Sequence, residues 1–205
     1  MKIKSVGNYK GNTSMVEFED GQTKFINNSI VNMFNLQNGM EIPDSAWEQI
    51  EEEELYRKAK ERALYLLDYK DYSYMDLFKK LRNNYPEDTC FRVLDKLSEM
   101  GCINDRRYAS NLARHFCEVK KFGRYRAFQE MRKKGLTDGV INNALDEYDE
   151  TEYDRLVEVV QKKLYRYIDK DNGINKLKNY LVRQGYSYSL VKEAVEEVLE
   201  MQEDE

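Results

Sequence analysis

The chain is poor in residues that break helices, cross-link chains or bind metals: two prolines, three cysteines and a single histidine in 205 residues. So few prolines leave long stretches free to be helical, since proline lacks the N–H a helix interior needs. Cys90, Cys102 and Cys117 form no CxxC pair and read as free thiols on helix faces of a cytoplasmic protein. His115 with Cys102 and Cys117 fits no zinc spacing and offers too few ligands for a structural site. No motif sets a nucleophile or an orienting carboxylate beside His115. The glycine-rich phosphate loops of nucleotide enzymes are missing too. No apolar run approaches a membrane span, and the opening MKIKSVGNYKGN lacks the apolar centre of a secretion signal. The expectation is a cytoplasmic protein with no cofactor, no metal, no membrane contact and no catalysis of its own.

What is present is charge and aromatic surface. Hydrophobic residues make up 41%, charged residues 35% and aromatic residues 12%, too apolar for disorder yet polar enough for a structure with much surface per residue. Most of the sixteen tyrosines suit helix packing with the hydroxyl reaching water. The net charge of −5 argues against a protein built wholly to coat nucleic acid. The balance is uneven, however. Between Asn104 and Gly135 ten Arg/Lys face three Asp/Glu, a net of +7, which leaves −12 for the rest. Acidic runs lie at Glu51–Glu54, Asp146–Asp154 and Glu193–Glu205 and read as solvated helix faces.

The chain also repeats. Leu81, Met131 and Leu181 stand fifty residues apart in three related segments, Gly135 and Gly185 fall in step, and so do Thr137 and Ser187. A period of this size indicates stacked supersecondary units, none able to bury its apolar face alone. Such an array offers a surface for binding. The fold expected is mainly α: three tandem three-helix repeats in an elongated array, with a small N-terminal β-hairpin and helix extension. The boundaries expected are 1–45 for the extension, 46–103 for repeat one with its leading helix, 104–150 for the basic repeat two, and 151–205 for repeat three with an acidic tail. A monomer is expected.

In the extension, Asp20-Gly21 signals a two-residue hairpin, pairing Val16 with Phe25, Phe18 with Thr23 and Glu17 with Lys24; residues 1–6 add a third strand. The appendage is too small for a large core. Ser29 to Phe34 reads as a short helix stopped by Asn38-Gly39. Pro43-Asp44-Ser45 then starts a helix with Ser45 and Glu48 as a capping box. Its stripe is Leu55, Ala59, Ala63 and Leu66, with Glu53/Arg57 and Glu54/Lys58 pairs and a weak or bent join at Glu51–Glu54.

Repeat two starts from an Asn104 cap, with Tyr108, Ala109, Leu112, Ala113 and Phe116 on one face. Its counterpart in repeat three has Tyr153, Leu156, Val157, Val160, Leu164 and Ile168. Short middle helices follow, bearing Leu77/Phe78/Leu81, Ala127/Phe128/Met131 and Leu177/Tyr180/Leu181. Gly135 and Gly185 end the latter two in left-handed geometry, and Thr137 and Ser187 cap the third helices. These bury Val140, Ile141, Ala144 and Leu145, or Leu190, Val191, Ala194 and Val195. In repeat one, Tyr85-Pro86 replaces the glycine pair, so Pro86 ends that helix.

Two stretches resemble a known family. NDRRYASNLARHFCEVKKFGRYRAFQEMRKKGLT is similar to the central signature of the RecX family of bacterial recombination regulators. That pattern is carried here by Asp105, Tyr108-Ala109, Arg114, Lys120/Lys121-Phe122-Gly123, Arg124 and Lys134-Gly135. RALYLLDYKDYSYMDLFKKL resembles the start of the family's first repeat, with Tyr72-Ser73 before a leucine-rich helix. The DGQTKF hairpin, the LQNGMEI turn and the acidic helix resemble the extension of many low-GC Gram-positive members. The departures are Tyr85-Pro86, and Val182 where repeats one and two have Arg82 and Arg132. The resemblance implies a protein that binds the RecA recombinase, lodges along its nucleoprotein filament and limits filament growth, damping recombination and the damage response.

The residues expected to meet that partner are Arg114, Lys120, Lys121, Arg124, Arg126, Arg132, Lys133 and Lys134, which could face acidic recombinase surface or nearby phosphates. The competing reading is solvated helix surface, with Phe122, Tyr125 and Phe128 in the core and Arg114 paired to an acid within its own unit. Weak direct DNA contact, or a DNA binder gripping phosphates through repeat two, is the alternative.

Overall fold

In the computed structural model, which describes residues 1–203, the chain folds as a small three-stranded sheet followed by three tandem three-helix repeats. The final acidic residues Asp204 and Glu205 lie outside the described residues. The fold divides into two compact units. The first takes residues 1–70 and 77–100; the second takes residues 71–76 and the chain from Gly101 onward.

The first unit opens with β1 (Ile3–Lys10), β2 (Thr13–Phe18) and β3 (Thr23–Asn27) in an antiparallel meander. Phe25 lies opposite Met15, Val16 opposite Lys24 and Glu17 opposite Thr23, one residue away from the expected register. The cause is the turn. Gly21 N–H donates to the Phe18 carbonyl at 3.0 Å and Phe18 N–H to the Gln22 carbonyl at 2.9 Å, while Gly21 takes a φ of +85°. That is a three-residue loop ending in a left-handed glycine, and an odd loop shifts the pairing by one. Val16 and Phe18 therefore point into the core, whereas Phe25 is exposed and packs on Tyr9 with ring centroids 4.6 Å apart.

α1 (Asn28–Met33) is capped by the Asn27 side chain and followed by Asn35 at a φ of +49°. The helix thus ends before Asn38-Gly39, which forms the next turn. α2 (Asp44–Tyr69) runs 26 residues without interruption at Glu51–Glu54. Pro43 is its cap and no side chain closes a capping box, because Ser45 already lies inside the first turn. Trp47 and Ile50 join Ile3, Val16, Phe18, Ile26 and Ile30 in one core, with the Trp47 ring edge-on to Phe18 at 4.9 Å. The sheet is too small for a core alone and borrows one from α2.

Further along α2, Ala59 and Ala63 are buried and Leu55 is exposed, while Glu54 turns inward. Its carboxylate bonds Arg57 at 2.7 Å, Lys58 at 3.4 Å and the Asn27 N–H at 3.2 Å. Burial pushes the Glu54 carboxyl up, but these donors outweigh it and hold it below the ordinary value. Glu53, freed from Arg57, pairs with Arg92 at 2.5 Å. α3 (Tyr74–Leu81) ends before Pro86, which caps α4 (Glu87–Glu99) instead of stopping α3. Pro86 suits that place, since a helix cap needs no N–H of its own.

The second unit holds α5 (Asp105–Arg114), α6 (Arg124–Lys133) and α7 (Asp138–Leu145), then α8 (Glu152–Leu164), α9 (Gly173–Arg183) and α10 (Tyr188–Glu203). Asn104 caps α5, its side chain accepting the Arg107 N–H at 2.9 Å. Helices α5 to α7 enclose Ala109, Ala113, Ala127, Met131 and Ile141. Helices α8 to α10 enclose Leu156, Val160, Leu177, Leu181 and Val195. Ile168 lies beyond the end of α8 and is exposed. Gly135 and Gly185 adopt φ of +76° and +97° and close the middle helices. Ser187 Oγ accepts the Leu190 N–H at 3.3 Å, but Thr137 caps α7 through its backbone alone.

Candidate functional site

The basic segment is laid out by the end of α5. Residues His115–Val119 widen into a π-turn, and the Lys120 N–H reaches back five residues to the His115 carbonyl at 3.0 Å. Lys121 then takes a left-handed φ of +53°, costing roughly 1 kcal/mol or more for a residue with a Cβ. Neighbours hold it there. Its ammonium pairs with Glu158 at 2.7 Å and its carbonyl accepts the Tyr186 hydroxyl at 3.0 Å. Glu158, bonded first by Lys121 and then by Lys162, is held down to about 2. Burial pushes the Tyr186 phenol up to about 12, keeping it a neutral donor.

Arg124 opens α6 and is also committed internally. Its guanidinium bonds Asp149 at 2.6 Å and Asp146 at 2.8 Å, and its backbone N–H donates to Glu152 at 2.7 Å. Burial works against the Arg124 charge, and the hydrogen bonds of Asp149 and Asp146 more than restore it. Arg126 lies over the Phe122 ring at 4.0 Å and donates to the Gln184 side chain at 2.8 Å and the Arg183 carbonyl at 3.2 Å. Lys121 and Arg126 thus tie repeat two to repeat three through their side chains, whereas Arg124 reaches repeat three only through its backbone N–H and spends its guanidinium within repeat two.

The other five stay at the surface. Arg114 and Lys120 are exposed, and with the half-buried Lys134 their cations form no ion pair among the described residues. Arg132 and Lys133 touch Asp138 at 3.4 Å and Glu130 at 2.9 Å, exposed pairs of the kind that contribute little. Tyr125 is 70% exposed, outside the core expected for it, whereas Phe122 and Phe128 pack against the repeat's core.

The sequence reading missed Arg155. It is buried on α8, donating to the Tyr148 carbonyl at 2.9 Å and the Thr151 hydroxyl at 2.5 Å. The match between the cations at Lys120–Arg126 and the acids at Asp146–Asp154 is the sequence signal for the pairing of Arg124 with Asp146 and Asp149. Among the described residues no group of three or more His, Cys, Asp or Glu is placed to hold a metal, and no helix is long and apolar enough to cross a membrane.

Family models of RecX match in three places: its first three-helix domain at residues 59–97, its second at 104–145 and its third at 150–195. Among curated proteins, regulatory protein RecX of Clostridioides difficile is 30% identical, covering 85% of this chain and 84% of its own. That of Streptococcus gordonii is 28% identical over 93% of this chain and 74% of its own. A crystal structure of regulatory protein RecX covers 96% of this chain and 98% of its own with a TM-score of 0.75 at 23% identity. The structure of RecX from Lactobacillus salivarius covers 70% and 96%, with a TM-score of 0.64 at 27% identity.

Proposed function

Because the chain belongs to the RecX family of regulatory proteins, we propose that it binds the RecA recombinase on its nucleoprotein filament and limits filament growth. Recombination and the DNA-damage response are damped in consequence, in the cytoplasm and without chemistry by the chain itself. The observation that carries this reading is the charge layout. A basic stretch of net +7 sits in a chain whose remainder carries −12. Bare DNA presents one sign of charge, whereas a protein filament presents both and can meet such a surface patch by patch. Arg114, Lys120, Arg132, Lys133 and Lys134 are the cations available to the partner. Lys121 and Arg126 support them by fixing repeat two against repeat three, and Arg124 by holding the acidic end of repeat two against the start of α6.

The test is a titration of labelled single-stranded DNA, with and without RecA and a slowly hydrolysed ATP analogue, across a salt series. Tighter binding to the filament, with a component that survives high salt, supports the reading. Equal affinity in both arms with one steep salt slope, the mark of counterion release, would make the chain a DNA binder.

A further inference from the structure

Beside the joint of repeats two and three lies an open groove of about 650 Å³ between α6 and the turn from α9 to α10. Its walls are unlike those of a solvated helix surface. Tyr125 and Phe128 come from α6, Val182 from the end of α9, and Tyr186 and Tyr188 from the turn into α10. Tyr125, Tyr188 and Val182 are 70%, 64% and 39% exposed. Fifty residues earlier, the places of Val182 and Tyr188 are held by Arg132 and Asp138, which form an ion pair at 3.4 Å. Repeat three has a valine and a tyrosine in place of that pair, which leaves an open, largely aromatic wall facing water.

The groove's edges carry opposite charge. At one edge Asp146, Asp149 and Glu152 surround Arg124, three carboxylates against one guanidinium. Beyond the other, with its backbone against the lining Gly185, is Arg126, its guanidinium fixed by Gln184 and Phe122 and without a carboxylate partner among the described residues. A polyanion would be turned away at the first edge. A protein segment with a large apolar side chain and an acid directed at Arg126 meets both edges favourably. Exposed tyrosines around a concave apolar wall, with a pre-positioned arginine, are also the composition of protein-binding hot spots.

We propose that this groove is the apolar anchor of the complex, and that its occupant is an aromatic or branched aliphatic side chain of a recombinase protomer, flanked by a carboxylate. This rests on the filament-binding reading above. It moves the decisive contact from the exposed cations to the seam between repeats two and three.

The test rebuilds the earlier repeat's arrangement with Val182→Arg and Tyr188→Asp together, alongside a single Tyr125→Ala in case the double variant does not fold. Melting and far-ultraviolet dichroism check the fold; filament binding is measured at low and high salt, with bare single-stranded DNA in parallel. Loss of about tenfold or more in filament affinity, persisting at high salt and with affinity for bare DNA unchanged, is the expected result. A wild-type chain that binds the filament while the folded variants bind equally well would overturn the groove and leave the regulator reading standing. A parallel loss on bare DNA would make the groove a base-stacking site and overturn the proposal. A wild-type chain that does not bind the filament would overturn both.

Discussion

The Ser73 hydroxyl donates to the Lys134 carbonyl at 2.5 Å, and fifty residues on, the Gly123 amide donates to the Gln184 carbonyl at 2.9 Å. The two bonds hold the same place in successive repeats. In each, the residue before a middle helix is pressed onto the glycine turn of the repeat that follows. A Cβ on Gly135 would meet Ser73 Oγ at 2.9 Å, and one on Gly123 would meet the Gly185 carbonyl carbon at 2.5 Å. Side-chain-free backbone is what permits so close an approach.

Gly123→Ala is accordingly expected to lower stability by about 2 kcal/mol or more, since the added methyl meets backbone that has no rotamer to escape into. Gly139→Ala is the control. Nothing lies within 4 Å of its Cβ position, and on α7 the change should raise stability by roughly 0.5–1 kcal/mol. Thermal melts of the two variants should move in opposite directions.

Removing cations one class at a time separates binding from folding. Arg124→Gln should cost about 1 kcal/mol, because it strips Asp146 and Asp149 of their shared partner. Arg114→Glu with Lys120→Glu should leave the unfolding free energy from urea titration within about 0.5 kcal/mol of wild type while weakening filament binding. Binding that is unchanged in the folded double variant would reduce those cations to solvated surface.

Acid should act on Glu158. Its folded value, near 2 against an ordinary 4.5, is depressed, so its contribution is complete above the unfolded value and disappears as pH falls toward the folded one. Wild type should exceed Glu158→Gln in urea stability near pH 6, and the gap should close between about pH 4.5 and 2. A gap independent of pH across that window would remove the ion pair as its source.

Thiol labelling should resolve into one accessible and two protected sites. Cys90 and Cys117 are buried while Cys102 is partly exposed. Burial raises the Cys90 thiol and pushes that of Cys117 up to about 11, and the thiolate is the reactive form. At pH 8 the native protein should take up one alkyl group at Cys102 in the mass spectrum, with the others appearing only after unfolding. Early labelling of Cys117 would contradict its burial.

Most of the architecture was legible from the chain because it rests on periodicity and punctuation. The fifty-residue step, the Asn104 cap and the left-handed Gly135 and Gly185 are local signals, and helices α5 to α10 follow them. The sequence is silent where a distant contact decides the outcome. Glu54 sits in an acidic run that reads as solvated surface, and only Arg57 and the Asn27 amide, which compensate its burial, set it apart. The hairpin register turned on whether the loop closes with two residues or three, which Asp20-Gly21 alone does not settle. At the candidate site, charge density marked the right segment but could not divide its members. Arg124 and Arg114 look alike in sequence, and only the return of Asp146 and Asp149 from the far end of the same repeat distinguishes them.

α2 serves both the sheet and α4 on one uninterrupted rod. Its first turns supply Trp47 and Ile50 beneath the sheet, while Ala59 and Ala63 are buried farther along and Glu53 reaches α4 through Arg92. The sheet is therefore no removable ornament. A chain shortened to begin at Asp44 would bare an indole and a branched aliphatic side chain to water and leave Glu54 without the amide of Asn27. Anything that seizes the sheet pulls on the same rod that seats α4, so within this unit a tug and a loosening are one event.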